Sequence, residues 1–445
     1  MKTFSIVSLG CAKNTVDADS MAQLLHREGY RPTDEPAEAD VVIVNTCGFI
    51  QAAREESLDV LQTFAQAKRP GQFLIAAGCL TQRYGADVAR QVPGVDAILG
   101  TRRWMDIVDV VRRLGRQGHP KPLFHLPDAP TVGRDERGTA RVTIQGGSAY
   151  LKIADGCRRK CAFCAIPLIK GTLVSRPKEA ILEDARLLQE HGVQEIVLIA
   201  QDTTDYGHDR GERDGLASLL EDLVAAVPDV PWIRVMYAFP GYVTDHLIEV
   251  MASHPQIVPY LDLPLQHAHP ATLRRMQRPA NLAWVDRTLE KVRQAMPDVA
   301  LRTTFIVGYP GETEEEFQTL LDFITEVRFD RLGAFQFSFE PGTPSEPLGD
   351  PIPAEVKQAR WEALMARQQE ISLAKNQQFV GRTLAVLVEG YDAEAGISIG
   401  RTYRDAPEID GLVLVEGKLP VGQLASVRIT GAMPYDLTGV PQEEV

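Results

Sequence analysis

Short apolar runs alternate with amphipathic stretches along the first 114 residues of the chain. Apolar runs that predict strands occupy residues 4–9, 41–44 and 73–76. Behind them, apolar residues recurring at a helical period predict helices at residues 17–29, near 54–64 and near 84–92. This alternation is typical of an open parallel α/β sheet with helices on its faces.

The pattern changes in the middle of the chain. Glycine and proline interrupt the periodicity between residues 115 and 141, which predicts a linker at 117–141 with at most one short edge strand. The alternation then resumes, and strands are predicted at 149–154, 195–200, 232–237, 260–263, 301–307 and 331–337. Helices are predicted between them, including 178–191, 216–226, 286–295 and 314–327. Six strand–helix units indicate a partial (β/α)6 barrel rather than the complete eightfold one.

The last part of the chain has a different texture. A long helix is predicted at 355–377, and from residue 383 short apolar runs alternate with glycine turns. That pattern favours a small antiparallel β-barrel. The 445 residues exceed what one core usually holds. We therefore expect an α/β protein divided into an N-terminal domain at 1–116, the linker at 117–141, a core at 142–375 and a terminal domain at 376–445.

Three cysteines follow the strand predicted at 149–154. Cys157, Cys161 and Cys164 stand at x3 and x2 spacing, and Cys164 is the last cysteine of the chain. Thiolates are soft ligands, and three at close spacing suit an iron–sulfur cluster, with zinc as the alternative. A cubane cluster has four irons, so three thiolates leave one iron open for another ligand. An open metal position is typical of a reactive rather than a structural site.

The other three cysteines each follow a strand predicted in the first domain. Cys11, Cys47 and Cys79 stand at the ends of the runs at 4–9, 41–44 and 73–76. The carboxyl ends of neighbouring parallel strands share one edge of a sheet, where ligands bind. We therefore favour a second three-cysteine cluster over the alternative of three buried, apolar cysteines.

Composition limits where the protein works and what it binds. No signal-peptide pattern follows Met1, and no apolar run approaches the length of a membrane span. We expect a cytoplasmic protein without a membrane partner, whose six cysteines stay reduced and serve as metal ligands. The net charge of −13 disfavours bulk binding of nucleic acid and favours basic partners.

The cysteine loop resembles the radical S-adenosylmethionine (SAM) superfamily. Its signature, Cys-x3-Cys-x-aromatic-Cys, is matched by Cys157, Cys161, Phe163 and Cys164. The resemblance implies that SAM binds the open iron of a 4Fe–4S cluster beside Phe163. An electron from that cluster would then cleave SAM to methionine and a 5′-deoxyadenosyl radical.

Further SAM contacts are suggested by two other stretches. Residues 304–312, with Gly308 and Glu312, resemble a late-strand motif that contacts SAM in this superfamily, although Thr304 stands where a glycine is common. Arg176 is interpreted either as a ligand of the SAM carboxylate or as a solvated residue at a helix start. Thr313 and Glu316 predict a capping box at the start of the helix at 314–327.

The first domain resembles that of the methylthiotransferases. The resemblance is carried by Ser8-Leu9-Gly10-Cys11, Asn45-Thr46-Cys47 and Ala77-Gly78-Cys79. It implies a second 4Fe–4S cluster, held by Cys11, Cys47 and Cys79, that carries the sulfur inserted into the substrate. The terminal domain is similar in position to the TRAM domain of this family.

Within that family the chain resembles the branch that modifies ribosomal proteins. The similarity lies in residues 200–207, 405–411 and 434–439. It implies methylthiolation of the β-carbon of an aspartate in small-subunit ribosomal protein number twelve, free or in the assembled subunit. An electron donor and a sulfur source are further partners that the sequence does not identify.

The alternative substrate is tRNA adenosine, and charge favours the protein. Residues 376–445 carry five Lys or Arg against ten Asp or Glu, a net charge of −5. Phosphate contacts need positive charge, so this tail suits a basic protein better than RNA. We hypothesise that Glu408, Asp410 and Asp436 dock that protein.

Overall fold

The computed structural model of the chain describes residues 2–116, 122–133 and 137–442. Its first domain is a parallel sheet of six strands. The strands are β1 (Thr3–Ser8), β2 (Arg31–Pro32), β3 (Val41–Thr46), β4 (Phe73–Gly78), β5 (Ala97–Gly100) and β6 (Leu123–His125), in the order β2-β1-β3-β4-β5-β6. The helices are α1 (Ala12–Arg27), α2 (Gln51–Ala67), α3 (Cys79–Gln91) and α4 (Ile107–Leu114). The predicted open parallel sheet is confirmed.

Helices cover both faces of this sheet, which explains why its central strand has no polar alternation. Every residue of β3 is buried. On one face Leu24 of α1 and Val111 of α4 pack against the sheet, and on the other Leu61 of α2 and Val88 of α3 do so. Strands buried on both faces read as continuous apolar runs.

The central domain is the predicted partial barrel. Its strands are β7 (Val142–Gln145), β8 (Ser148–Lys152), β9 (Ala154–Asp155), β10 (Val174–Ser175), β11 (Glu195–Ile199), β12 (Trp232–Val235), β13 (Tyr260–Asp262), β14 (Ala300–Val307) and β15 (Arg331–Gln336). Six of these, β8, β11, β12, β13, β14 and β15, are the predicted barrel strands. In one group β11 pairs in parallel with β8 and with β12, and in the other β14 pairs in parallel with β13 and with β15. A parallel bridge from Ile233 to Ile257 links the two groups.

Helices surround the barrel, and one begins where its capping residues predict. They are α5 (Ile166–Lys170), α6 (Lys178–Glu190), α7 (Gly215–Ala226), α8 (Asp245–Ser253), α9 (Pro270–Arg275), α10 (Leu282–Ala295) and α11 (Glu314–Val327). The predicted capping box of Thr313 and Glu316 at the start of α11 is confirmed. Among the described residues no helix combines the length and the apolar character needed to span a membrane.

The terminal domain is a closed five-stranded barrel that follows the long helix α12 (Ala354–Gln377). Its strands are β16 (Thr383–Asp392), β17 (Ile397–Arg401), β18 (Val413–Glu416), β19 (Leu424–Ala432) and β20 (Leu437–Pro441). Four of its strand pairs are antiparallel, as predicted, whereas β18 pairs with β20 in parallel.

The terminal barrel covers the amino ends of the central strands. Arg401 pairs at 2.7 Å with Glu195, the first residue of β11. Asp410 accepts a hydrogen bond of 2.6 Å from the hydroxyl of Tyr260, the first residue of β13. Leu387 packs with Tyr260 in the same apolar cluster. A strand of five residues spans about 17 Å, so the terminal domain lies well away from the carboxyl ends that carry the cysteines.

Candidate active site

The first domain brings Cys11, Cys47 and Cys79 to one edge of its sheet. Cys47 and Cys79 directly follow β3 and β4, and Cys11 lies three residues after the end of the neighbouring strand β1. The loops after β1 and β3 approach each other so closely that a Cβ added to Gly10 would lie 2.7 Å from the Cβ of Cys47. Gly10 also has a φ of +91°, which favours glycine. These three residues are called the sheet triad below.

Asn14 ties the three loops of the sheet triad together. Its side-chain Nδ2 donates to the carbonyl oxygens of Leu9 at 2.9 Å and Thr46 at 3.1 Å. Its Oδ1 accepts from the thiol of Cys79 at 3.4 Å. Asn14 is buried in the first turn of α1, so this role follows from tertiary contacts that sequence spacing does not show.

The second set of thiols occupies the loop between β9 and α5. Cys157 and Cys161 are buried, and Cys164 is partly exposed. The loop is anchored by a hydrogen bond from the amide of Cys157 to the carbonyl of Gly171 at 3.0 Å. Phe163 packs beside Met276, Tyr309 and Phe337. The three cysteines are called the barrel triad below.

Cationic and N–H groups surround the barrel triad. The backbone amide of Arg159 donates to Sγ of Cys157 at 3.4 Å, and Nη1 of Arg278 donates to Sγ of Cys161 at 3.5 Å. The ring of Phe239 contacts both guanidinium groups, with its centroid 4.5 Å from that of Arg159 and 4.1 Å from that of Arg278. The sequence does not predict Arg278, because it reaches the loop from a segment 117 residues further along the chain.

Burial keeps most of these thiols protonated in the metal-free chain. It raises the pKa of Cys79 and of Cys157 to about 12, and it also raises the pKa of Cys47 and Cys164. A bound metal reverses this preference, since a coordinating thiol loses its proton. The neighbouring N–H groups then stabilise the thiolates.

The donor chemistry of each triad fits an iron–sulfur cluster. Each offers three soft thiols, and N–H donors face Cys157 and Cys161 of the barrel triad. In the described part of the chain no group of three or more His, Cys, Asp or Glu side chains is placed to hold a single metal ion. The fit therefore rests on donor type for both triads and on N–H contacts for the barrel triad.

Helix α5 and the residue before it connect the two triads. Ala165 and Ile169 pack against Cys79 of the sheet triad, and Ala165 directly follows Cys164 of the barrel triad. Helix α3, which begins at Cys79, lies beside α5. The structure thus brings the triads of two domains together at the carboxyl ends of both sheets.

A buried charge cluster fixes this arrangement. It consists of Asp17, Arg141, Lys152, Asp155 and Lys170. Lys152 and Lys170 each contact Asp17 at 2.6 Å, and Lys170 closes helix α5. Burial alone would raise the pKa of Asp17, but Lys152, Lys170 and Arg141 hold it well below its usual range. Removing one partner would leave another charge buried and unpaired, so the cluster holds the first domain firmly on the barrel.

The residues predicted to contact SAM have other partners in this structure. Arg176 pairs with Asp184 at 2.7 Å and donates to the carbonyl of Lys152 at 2.8 Å. Glu312 accepts from the amide of Tyr309 at 3.1 Å and pairs with Arg360 at 3.2 Å, and burial raises its pKa to about 7. Gly308 has a φ of +70° in the turn after β14. Their contact with SAM stays a prediction.

Family models match all three domains. The uncharacterized protein family UPF0004 matches residues 3–100, the Radical SAM superfamily residues 151–324, and the TRAM domain residues 380–441. The solved structure of TsrM, a radical S-adenosylmethionine methyltransferase from Kitasatospora setae, aligns with a TM-score of 0.58 at 12% identity. The alignment covers 88% of this chain and 79% of that chain, and it shows the fold alone. The fold and the barrel triad define a radical SAM enzyme.

Close relatives narrow the class to one family. The ribosomal protein uS12 methylthiotransferase RimO of Chloroflexus aurantiacus is 51% identical over 98% of this chain and 99% of that protein. The RimO of Roseiflexus sp. (strain RS-1) is 49% identical over 98% of this chain and 96% of that protein. The chain belongs to the RimO family of radical SAM methylthiotransferases.

Proposed function

We propose that this enzyme replaces a hydrogen on the β-carbon of an aspartate in ribosomal protein uS12 with a methylthio group. The named relatives act on uS12 and are similar over nearly the whole chain. The observation that carries the proposal is the packing of Cys79 against Ala165, which directly follows Cys164. This contact brings the two triads together, and radical formation and sulfur delivery must act on the same carbon.

Each triad has a separate role in this proposal. Cys157, Cys161 and Cys164 would hold one 4Fe–4S cluster, at which SAM would bind, and the sheet triad would hold the second. When bound, the two clusters supply an electron for the reductive cleavage of SAM and a sulfur for insertion, and a second SAM supplies the methyl group. A radical is required because the β-carbon carries no acidic proton for a general base to remove.

The protein positions N–H groups beside the thiols of the barrel triad. Arg159 is fixed by Asp202 at 2.6 Å and stacks on Tyr242 at 3.6 Å, so its backbone amide is held toward Cys157. Arg278 is buried over Phe239 beside Cys161. These contacts help to bury Cys157 and Cys161 and place N–H groups beside them.

The charge of the terminal domain supports a basic protein as substrate rather than tRNA. Two of its five basic residues, Arg401 and Arg404, are buried and paired with Glu195 and Asp330 of the barrel. The exposed surface of this domain retains Glu394, Glu408 and Glu416 among its acids. Its surface therefore favours cationic partners.

One part of the docking hypothesis is wrong. The side chain of Asp410 is buried, accepts from the hydroxyl of Tyr260 and lies 3.4 Å from Arg302, so it holds two domains together and cannot meet a substrate. Asp436 accepts a hydrogen bond of 2.8 Å from the amide of Leu412, which lies 24 residues earlier in the chain. Glu408 is exposed.

Two partners complete the proposal. The enzyme requires a one-electron donor for its clusters and a source of sulfide for repeated turnover. Both are proposed from the chemistry of the reaction, since each methylthio group consumes one sulfur.

Mass analysis of purified uS12 tests the proposal. The protein is incubated with anaerobically reconstituted enzyme, SAM, reductant and sulfide, and tRNA is treated in parallel. We expect one aspartate of uS12 to gain a methylthio group in place of a hydrogen. Modification of tRNA with none of uS12 would overturn the assignment.

A further inference from the structure

A half-buried lysine lies beside the sheet triad and reaches the rim of the barrel. Lys13 stands two residues after Cys11, and its Nζ lies 3.3 Å from the centroid of the Tyr237 ring. Tyr237 follows β12 at the carboxyl end of that strand. Lys13 therefore places its cation between the first domain and the mouth of the barrel.

The ring beneath Lys13 is held in an unusual backbone conformation. Tyr237 has a φ of +63°, which is rare for a residue with a large side chain. Its amide donates to Asp262 at 3.0 Å, and its carbonyl accepts from the amide of Thr203 at 3.1 Å. Left-handed residues of this kind cluster at ligand sites, where the surroundings fix them.

The cation of Lys13 has no carboxylate partner among the described residues. Nearby acids are already engaged, since Asp262 pairs with Arg302 at 2.8 Å and Asp17 pairs with Lys152 and Lys170. A ring face attracts a cation but leaves the ammonium N–H groups on the other side available. Lys13 can therefore accept an anionic group from outside the chain.

A second polar group at the same rim lacks a partner. The side-chain oxygen of Gln201, which follows the neighbouring strand β11, is buried and has no hydrogen-bond partner in the described part of the chain. Buried acceptors of this kind are usually satisfied, so a donor from a ligand fits here. A peptide segment offers both an N–H group and side-chain anions.

We propose that Lys13 binds the side-chain carboxylate of the target aspartate. This inference rests on the proposed function. In aspartate the carboxylate is attached directly to the β-carbon, so the residue that holds it also sets the position of the reacting C–H bond. The ammonium–carboxylate pair is the charge-assisted contact that suits this task. Lys13 would thereby distinguish aspartate from its amide.

A double-mutant cycle tests the inference through binding. Affinities of reconstituted wild-type enzyme and Lys13→Gln are measured for uS12 and for uS12 in which the modified aspartate is changed to asparagine. We expect wild type to bind the aspartate form about tenfold more tightly, and Lys13→Gln to bind both forms equally, since coupled residues give non-additive effects. Lys13→Arg, which keeps the charge, should retain part of the preference. Iron content verifies that each variant is loaded.

Lys291→Gln is the matched control. Lys291 pairs with Asp245 at 2.7 Å on the exposed surface of the barrel helices, so its loss should leave the preference for aspartate intact. An undiminished preference in Lys13→Gln would overturn the inference, as would an equal loss of affinity for both forms, which would mark a general effect of charge. Failure of wild type to bind uS12 would instead overturn the proposed function and this inference with it.

Discussion

Cys79 and Ala165 pack against each other, although they belong to different domains. Ala165 directly follows Cys164, so the contact joins the last thiol of the barrel triad to the last thiol of the sheet triad. Ala165 is fully buried, and its small side chain lets α5 approach α3 closely. A larger side chain at this position would therefore push the two triads apart.

Replacing Ala165 by Leu should separate radical formation from sulfur transfer. Overpacking a buried site costs about 1–3 kcal/mol and shifts the backbone around it. We expect methylthiolation of uS12 to fall by about tenfold or more, a loss of more than 1.4 kcal/mol in transition-state stabilisation. Methylthio-aspartate and 5′-deoxyadenosine are measured together. Ala185→Leu, at a buried position on α6, is the control, and an equal fall in both variants would contradict the prediction.

Removal of the barrel triad should abolish SAM cleavage. Reconstituted wild type should contain about eight irons if two cubane clusters form. The Cys157, Cys161, Cys164→Ala variant should retain about half of that iron and produce no 5′-deoxyadenosine. Iron analysis and chromatography of the nucleoside products provide the measurements. Continued production of 5′-deoxyadenosine would show that the radical site is elsewhere.

Removal of the sheet triad should have the opposite pattern. The Cys11, Cys47, Cys79→Ala variant should also lose about half of the iron. It should still cleave SAM, because the barrel triad is intact, yet transfer no sulfur to uS12. The ratio of 5′-deoxyadenosine to methylthio-aspartate is the measurement. If methylthiolation persists, these three cysteines are structural.

Reversing exposed charge on the terminal domain should weaken binding of uS12. The change of Glu394, Glu408 and Glu416 to Lys adds two units of positive charge at each position. The net charge of residues 376–445 therefore changes from −5 to +1. Exposed charges act over a Debye length of about 8 Å at physiological ionic strength, so we expect the loss to be larger at low salt. Affinity is measured at two salt concentrations. Reversal of the exposed residues Glu179, Glu183 and Glu190 on α6 is the control. Equal affinities of wild type and the terminal-domain variant for uS12 would refute a role of the terminal domain in binding.

Glu195 should make the attachment of the terminal domain sensitive to acid. Burial alone would raise the pKa of Glu195, but Arg234 and Arg401 lower it to about 2. Because the folded-state pKa lies below the ordinary value of 4.5, the carboxylate stabilises the fold above that value, and this contribution is lost as the pH falls toward 2. Glu195→Gln should lower the free energy of unfolding by about 3–5 kcal/mol at neutral pH.

Urea unfolding at a series of pH values measures this effect. The difference in unfolding free energy between wild type and Glu195→Gln should shrink steadily below the ordinary pKa of glutamate. Glu179→Gln, at an exposed position, should show little difference at any pH. A difference for Glu195→Gln that is independent of pH would contradict the assignment.

Local sequence patterns predicted those features that depend on neighbouring residues. The start of α11 was predictable because Thr313 and Glu316 cap each other within one turn. The grouping of Cys11, Cys47 and Cys79 was predictable because parallel strands share their carboxyl edge. Strand β5 was missed, because its apolar run has only three residues before Gly100.

Contacts between distant segments could not be predicted in the same way. Asp410 has the sequence context of a surface acid, yet its partner Tyr260 lies 150 residues earlier in the chain. The contact of Lys13 with Tyr237 and that of Arg278 with Cys161 likewise join separate domains or loops. A single sequence contains no periodicity that reports such pairs.

The terminal barrel forms the floor of the central one, and this determines what truncation would do. Excision of residues 380–441 would expose the aromatic rings of Tyr150, Trp232 and Tyr260 to water. It would also strip Glu195 of one of its two cations. A shortened chain that ends at the boundary of the TRAM match would therefore be an aggregation-prone fragment rather than a smaller catalyst.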